Sequence, residues 1–181
     1  MATNDNSNYE SIMNREIKFR GKRTDEGGWI YGDLCYYLFD REKELTPCIH
    51  IGKKGYIRNG FYQIHPDTIG QSTGLKDKNS KEIYEGDIIY GCFKYDALSA
   101  DGAVMPDNDC LCKGVVRFSK DRLQWVLDIF WAEYPLRRWI EEGADSEIPI
   151  VHFEYESPEF NMDCLEVISN ISDHLEVLKK T

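Results

Sequence analysis

No run of about 18 apolar residues, the length a membrane-crossing helix requires, occurs anywhere in the 181-residue chain. That absence excludes a helical membrane span, and no membrane partner is expected. The opening residues MATNDNSNYESIM lack a basic start followed by an apolar stretch of roughly 7–15 residues. Residues 1–13 are therefore read as a disordered polar tail, not an export signal. Zinc-site spacing is missing as well. Of the six cysteines, Cys110 and Cys112 form Cys-x-Cys instead of the Cys-x-x-Cys knuckle, and Cys48 with His50 is equally irregular. Without an export signal, Cys35, Cys48, Cys92, Cys110, Cys112 and Cys164 read as ordinary thiols in a reducing compartment, with a metal role left open.

Cations are the most unevenly distributed resource. The net charge is −10, yet residues 1–90 hold 13 basic and 14 acidic side chains, against 9 and 18 in residues 91–181. Between Arg138 and Lys179 there are eleven carboxylates and no Lys or Arg. An acidic chain is a poor binder of phosphate backbones. The run reads either as a solvated surface that aids solubility or as a face for a basic partner. Its candidate contact residues are Glu141, Glu142, Asp145, Glu147, Glu154, Glu156, Glu159 and Asp163. The opposite extreme is "REIKFRGKR", whose Arg15, Lys18, Arg20, Lys22 and Arg23 make a candidate basic patch.

Catalytic and cofactor signatures are also scarce. "GQSTG" (70–74) lacks the Lys-Ser/Thr ending of a phosphate loop and the following helix of a dinucleotide site. "DGAVMPDND" (101–109) lacks the ligand spacing of a calcium loop. His50, His152 and His174 share no metal spacing on one element, so neither metal nor cofactor is expected. His65 and Asp67 in "IHPDTIG" could form an acid–base pair, which is the enzyme reading; a Pro-stiffened turn with Asp67 and Thr68 bonding nearby backbone is the simpler one.

What is present is period-two alternation. "REIKFR", with Ile17 and Phe19 inward, and the aromatic-rich "WIYGDLCYYLF" read as strands. "TPCIHIGKKGYIRNGFYQI" reads as short strands broken by glycines. "EGDIIYGCFKY" (85–95), "GVVRF" (114–118), "IPIVHFEYE" (148–156) and "CLEVISNI" follow as strands. In "RLQWVLDIFW", Leu123, Trp125, Leu127, Ile129 and Trp131 share one face, expected to be core. "EYPLRRWIEEG" predicts a helix, with Pro135 in the first turn, Gly143 just past the end, and Leu136, Trp139 and Ile140 on one face. "SDHLEVLKK" predicts a terminal helical turn or an extended tail, capped by Asp173. "KDKNSKEIY" reads as a hairpin tip and "EGDII" as a bend that launches a strand. A short echo, "GGWIYGDL" against "KEIYEGDI", suggests that Gly-Asp serves both times as a turn or bulge. Aromatics beside basic residues, in 15–23 and 53–62, could stack on bases; on alternating strand positions they serve a core or an oligomer interface.

The stretches "REIKFRGKRTDEGGWIYGDL", "IHPDTIGQSTGLKDKNSKEIYEGDII", "GVVRF" and "EVISNISDHLEVL", in this order and spacing, resemble the YopX family of phage and prophage proteins. The tail departs from the family pattern, with Ser169 where Gly is typical and His174 where Pro is. The resemblance implies an intracellular, cytoplasmic, oligomeric phage-derived protein, and carries over no catalytic residue, metal or cofactor.

The expected architecture is mainly β: a bent antiparallel sheet closing into one or more small SH3-like barrels, with one or two short helices; an α+β fold is the alternative. A single domain is expected over 14–181, with a loop or insertion at 96–113 and a variable segment carrying one helix at 130–160. The expected role is a non-enzymatic binding module. Its partners would be a second copy and a basic host or phage protein, with nucleic acid as the alternative.

Overall fold

Alternation of apolar and polar residues gives strands along most of the described residues. The computed structural model describes residues 17–25, 27–39, 43–52, 60–98, 104–133, 136–141, 143, 146–150, 159–160 and 164–178. Side chains are described for these except at 93–98, 104–109, 139, 148–149, 159–160 and 175–178. Where one domain was expected, the chain divides into two compact units, Met1–Gly74 and Leu75–Thr181.

The first unit is built on β1 (Phe19–Lys22), β2 (Trp29–Tyr37), β3 (Thr46–His50) and β4 (Phe61–Gln63). Strand β5 (Gly70–Lys76) runs through the boundary, and β6 (Glu82–Tyr84) follows it, in the hydrogen-bonded order β4-β3-β2-β1-β5-β6. Pairing of Gly21 with Ile30 and of Leu34 with Ile49 fixes which face is apolar. Ile30, Ile49 and Ile64 form the core, with Phe19, Leu34, Tyr62 and Ile69 against it. Fully burying each of the three isoleucines contributes about 1.5–3 kcal/mol. Ile17, expected inside, precedes the first strand and is exposed.

The second unit contains β7 (Asp87–Leu98), β8 (Val104–Ser119), β9 (Gln124–Ala132), α1 (Leu136–Glu141), β10 (Glu147–Pro149), β11 (Glu159–Phe160), β12 (Glu166–Asn170) and α2 (Ile171–Leu178). The strands order as β10-β9-β8-β7-β11, with β12 also on β7, all antiparallel. Its core includes Ile89, Val116, Leu127, Ile150 and Leu165. The expected pairing of "GDIIYG" with "GVVRF" is present, as Ile88↔Val115 and Ile89↔Gly114. The fold is thus mainly β and antiparallel; among the described residues neither ladder closes on itself.

The structure corrects several local expectations. Residues 96–98 and 104–113, expected as a loop or insertion, are strand: Ala97 pairs with Met105 and Leu98 with Val104. A polar composition was compatible with strand because both chains of a hairpin supply their own hydrogen bonds. In β9, Trp125, Leu127 and Ile129 are buried, but Leu123 is 77% exposed at φ 53° and Trp131 is 42% exposed. The register shifts at Lys113/Gly114, so Gly114 pairs with Ile129 and Lys113 with Trp131. Phe130 is the extra residue of a bulge, and a one-residue insertion reverses the faces beyond it; Ala132 is buried in place of Trp131.

Asp173 is not the cap of α2. Asn170 Oδ1 accepts the Ser172 amide at 2.8 Å, as an N-cap does. Nor is the Gly-Asp echo one device used twice. Gly86 sits at φ +82° in a turn, whereas Gly32 lies within β2, where a side chain would meet the His50 carbonyl oxygen at 2.4 Å.

The expected hairpin tip is confirmed and explained by one carboxylate. Asp77 Oδ1 accepts the amides of Asn79 (2.8 Å) and Lys81 (2.9 Å), and Oδ2 accepts that of Val167 (3.1 Å). "EGDII" launches β7 through Asp87, whose Oδ2 accepts the Tyr84 amide at 2.9 Å. Residues 151–156 of the expected strand "IPIVHFEYE", and the tail 1–13, lie outside the described residues.

Candidate functional site

The basic patch is carried by β1, whose alternation places Arg20 and Lys22 on one side of the strand, with Lys18 just before it. Arg15 lies outside the described residues. Arg20 is not an open surface cation: it is 4% exposed, and its guanidinium lies over the Trp29 ring, 4.6 Å from the centroid. A planar, weakly hydrated guanidinium tolerates such burial against an aromatic face. Lys22, directly opposite Trp29 in the register, reaches the same ring at 5.5 Å. Arg23 lies over Tyr62 at 4.8 Å and pairs with Asp25 at 2.5 Å. Of the 53–62 segment only Gly60, Phe61 and Tyr62 are described. Phe61 stacks on Tyr37 (4.9 Å) and meets His50 (4.6 Å), so aromatic side chains from β2, β3 and β4 cluster on this sheet.

His65 and Asp67 are both exposed. His65 precedes a 3-10 turn, Pro66–Thr68, that contains Asp67 and in which the Thr68 hydroxyl donates to the His65 carbonyl (2.7 Å) and accepts the Lys22 amide (2.8 Å). Thr68 of this motif thus holds backbone, as the simpler reading had it for that residue. "GQSTG" runs as strand β5.

Of the acidic candidates, Glu142, Asp145, Glu154, Glu156 and Asp163 lie outside the described residues, and only the backbone of Glu159 is described, in β11. The two whose side chains are described take cations. Glu141, exposed on α1, accepts from Arg137 Nε at 3.0 Å. Glu147 binds Arg117, which also donates to Asp128 at 3.1 Å. Glu166 of the same acidic run pairs with Lys78 at 2.5 Å, and that ion pair raises the Lys78 pKa.

Two arrangements escaped the sequence. A groove of about 410 Å³ beside α1 is lined by Ile129, Phe130, Trp131, Ala132, Arg137 and Ile140. It follows from the β9 bulge, which no local pattern announces. Cys35 and Cys48, thirteen residues apart, face each other across β2 and β3 with their sulfurs 3.2 Å apart. The alternation of both strands could have suggested a shared face, but not the register. Burial, with the neighbouring Cys35 thiol adding to it, pushes the Cys48 pKa up to about 12. Burial likewise pushes Cys112 up to about 12 and raises Cys110. No cluster of three metal-binding side chains occurs among the described residues, nor does any helix there have the length and apolarity to cross a membrane.

These features define a mainly β protein of antiparallel sheets whose notable chemistry is aromatic, cationic and acidic surface. The chain belongs to the YopX family: the family described as YopX protein matches residues 18–171, most of its length. No curated protein matches it.

Proposed function

We propose that this YopX-family chain is a phage-type accessory protein acting in the bacterial cytoplasm as a non-enzymatic binding module, with the acidic second unit engaging a basic protein. One observation carries the reading. Met1–Gly74 holds 10 basic and 10 acidic side chains, whereas Leu75–Thr181 holds 12 and 22, so the whole net charge of −10 falls in one unit. A field of one sign on one folded unit steers a partner of the opposite sign and speeds its association. The antiparallel second sheet, with its bulge at Phe130, suits a small SH3-like barrel, and exposed Phe130, Trp131 and Tyr36 suit self-association.

Immobilised full chain, exposed to bacterial lysate at low salt, should retain basic proteins and release them by roughly 0.5 M salt, where screening is nearly complete. The variant Glu154→Gln/Glu156→Gln/Glu159→Gln/Asp163→Asn should lose them. Equal retention by both proteins overturns the reading.

Nucleic acid is the second reading, favoured by the half-buried cations Lys22 and Arg23 beside the rings of Trp29 and Tyr62. A gel shift with single-stranded DNA and RNA that Trp29→Ala abolishes would support it, since base stacking on an aromatic contributes about 1–3 kcal/mol. No shift at low salt ends it.

A further inference from the structure

Cys35 and Cys48 are held opposite each other by the β2–β3 ladder. Residues directly opposite in antiparallel strands have Cα atoms about 4.5–5.5 Å apart, within the roughly 4.4–6.8 Å that a disulfide spans. The sulfurs already touch at 3.2 Å, and each lies near the other residue's carbonyl oxygen, at 3.6 and 3.5 Å. Both side chains therefore point into the same space between the strands. Their accessibility differs: Cys35 is half-buried, whereas Cys48 is fully buried. The other four cysteines are placed differently. Cys110 and Cys112 sit two apart on one strand, Cys92 is buried in β7, and Cys164 precedes β12.

We propose that Cys35 and Cys48 are a reversible disulfide site, oxidised by exchange with a low-molecular-weight disulfide through attack by Cys35 and resolution by Cys48. In the first step the Cys35 thiolate attacks one sulfur of the small disulfide. A Cys35–small-thiol mixed disulfide forms, and the other half leaves as a thiol after taking up a proton. In the second step Cys48 gives up its proton and its sulfur attacks Cys35 Sγ. The cross-strand bond forms and the second small thiol departs with a proton. The protein loses two protons and two electrons, and one small disulfide becomes two small thiols.

The environment sets this order. Cys48 is shielded from an oxidant in solution, whereas Cys35 is reachable. Burial first, then the hydrogen bond and charge of Cys35, keep Cys48 protonated while both thiols are present. Once Cys35 is capped as a mixed disulfide, its hydrogen bond and charge are gone, and only burial still opposes ionisation of Cys48. The proximity of the two sulfurs, 3.2 Å apart, favours the second step. The bridge would close residues 36–47 into a ring and lock β2 to β3 beside the Tyr37, His50 and Phe61 cluster.

The test incubates the reduced full chain with oxidised glutathione, blocks remaining thiols with iodoacetamide, and maps the peptides by mass spectrometry. The expected product has lost two hydrogen masses, carries a Cys35–Cys48 cross-link, and shows loss of alkylation at these two positions only; dithiothreitol restores both thiols. Cys48→Ser should trap one glutathione on Cys35, and Cys35→Ser should leave Cys48 unmodified. If Cys48→Ser fails to fold, the wild-type map and Cys35→Ser decide. Alkylation of both thiols without a cross-link, or a cross-link between other cysteines, overturns the proposal.

Discussion

At the scale of single residues, one buried carboxylate organises the hairpin expected at "KDKNSKEIY". Asp77 accepts three backbone amides, two within its own turn and one from β12, ninety residues on. Burial alone would raise its pKa, but the three N–H donors, with the Lys81 charge, outweigh it and hold the carboxyl below its ordinary value. A lowered folded pKa contributes stability above the unfolded value of about 4 and loses it as pH falls through the folded value. Asp77→Ala should therefore cost roughly 2–4 kcal/mol at pH 7, because it strands donors that were paired with a charge. Urea unfolding should show this gap at pH 7 and a smaller one near pH 3. A gap that does not narrow on acidification would mean that the ionised form is not what the turn requires. The turn itself was legible: Asp-Lys-Asn-Ser is turn chemistry by composition. The third bond was not, because nothing local ties Asp77 to Val167.

At the scale of elements, three strands meet at Arg117. It reaches Asp128 on β9 and Glu147 on β10, and those two carboxylates are direct cross-strand neighbours. Without the guanidinium, like charges would face each other in register, which is destabilising. Arg117 and Asp128 are about 40% exposed, so the effect is modest. Arg117→Met should cost about 1 kcal/mol, and adding Asp128→Asn should recover most of it; a double-mutant cycle by urea titration measures the coupling. Additive losses would show that the two carboxylates do not repel.

Gly114 makes a sharper test of the β8–β9 bulge. A Cβ there would meet Leu127 Cγ at 2.6 Å and the Asp128 carbonyl oxygen at 2.7 Å. Gly114→Ala should destabilise by about 1–3 kcal/mol through overpacking. Gly28→Ala, with nothing within 4 Å and no positive φ, should stay within about 0.5 kcal/mol. Thermal unfolding of the two variants side by side checks both. The same bulge shows where sequence reading ran out. Alternation located β9 and its core positions Trp125, Leu127 and Ile129, but a period-two pattern carries no record of an inserted residue. Trp131 therefore read as core although it faces outward. Arg20 read as a surface cation for a related reason: composition shows the charge but not the ring laid against it. The acidic run was legible as a charge count, yet its pairing of Glu147 with Arg117 depends on strand order.

At the scale of the whole molecule, the charge partition makes a prediction that joins stability to binding. Net charge far from zero opposes the compact state by self-repulsion, and here the excess belongs to Leu75–Thr181. The ion pairs Lys78–Glu166 and Arg137–Glu141 work in the other direction, but both are partly or well exposed and contribute little. Repulsion should therefore prevail. Raising sodium chloride from about 10 to 150 mM, which shortens the Debye length from about 30 to 8 Å, should raise the thermal midpoint. Glu154→Gln/Glu156→Gln/Glu159→Gln/Asp163→Asn should raise it already at low salt and flatten its salt dependence. The same substitutions should abolish retention of basic proteins, so stability and binding would move in opposite directions. That opposition separates a surface kept for a partner from one kept for solubility: in the latter case the variant gains stability and loses no binding. A midpoint that falls on adding salt would show instead that the ion pairs outweigh the repulsion.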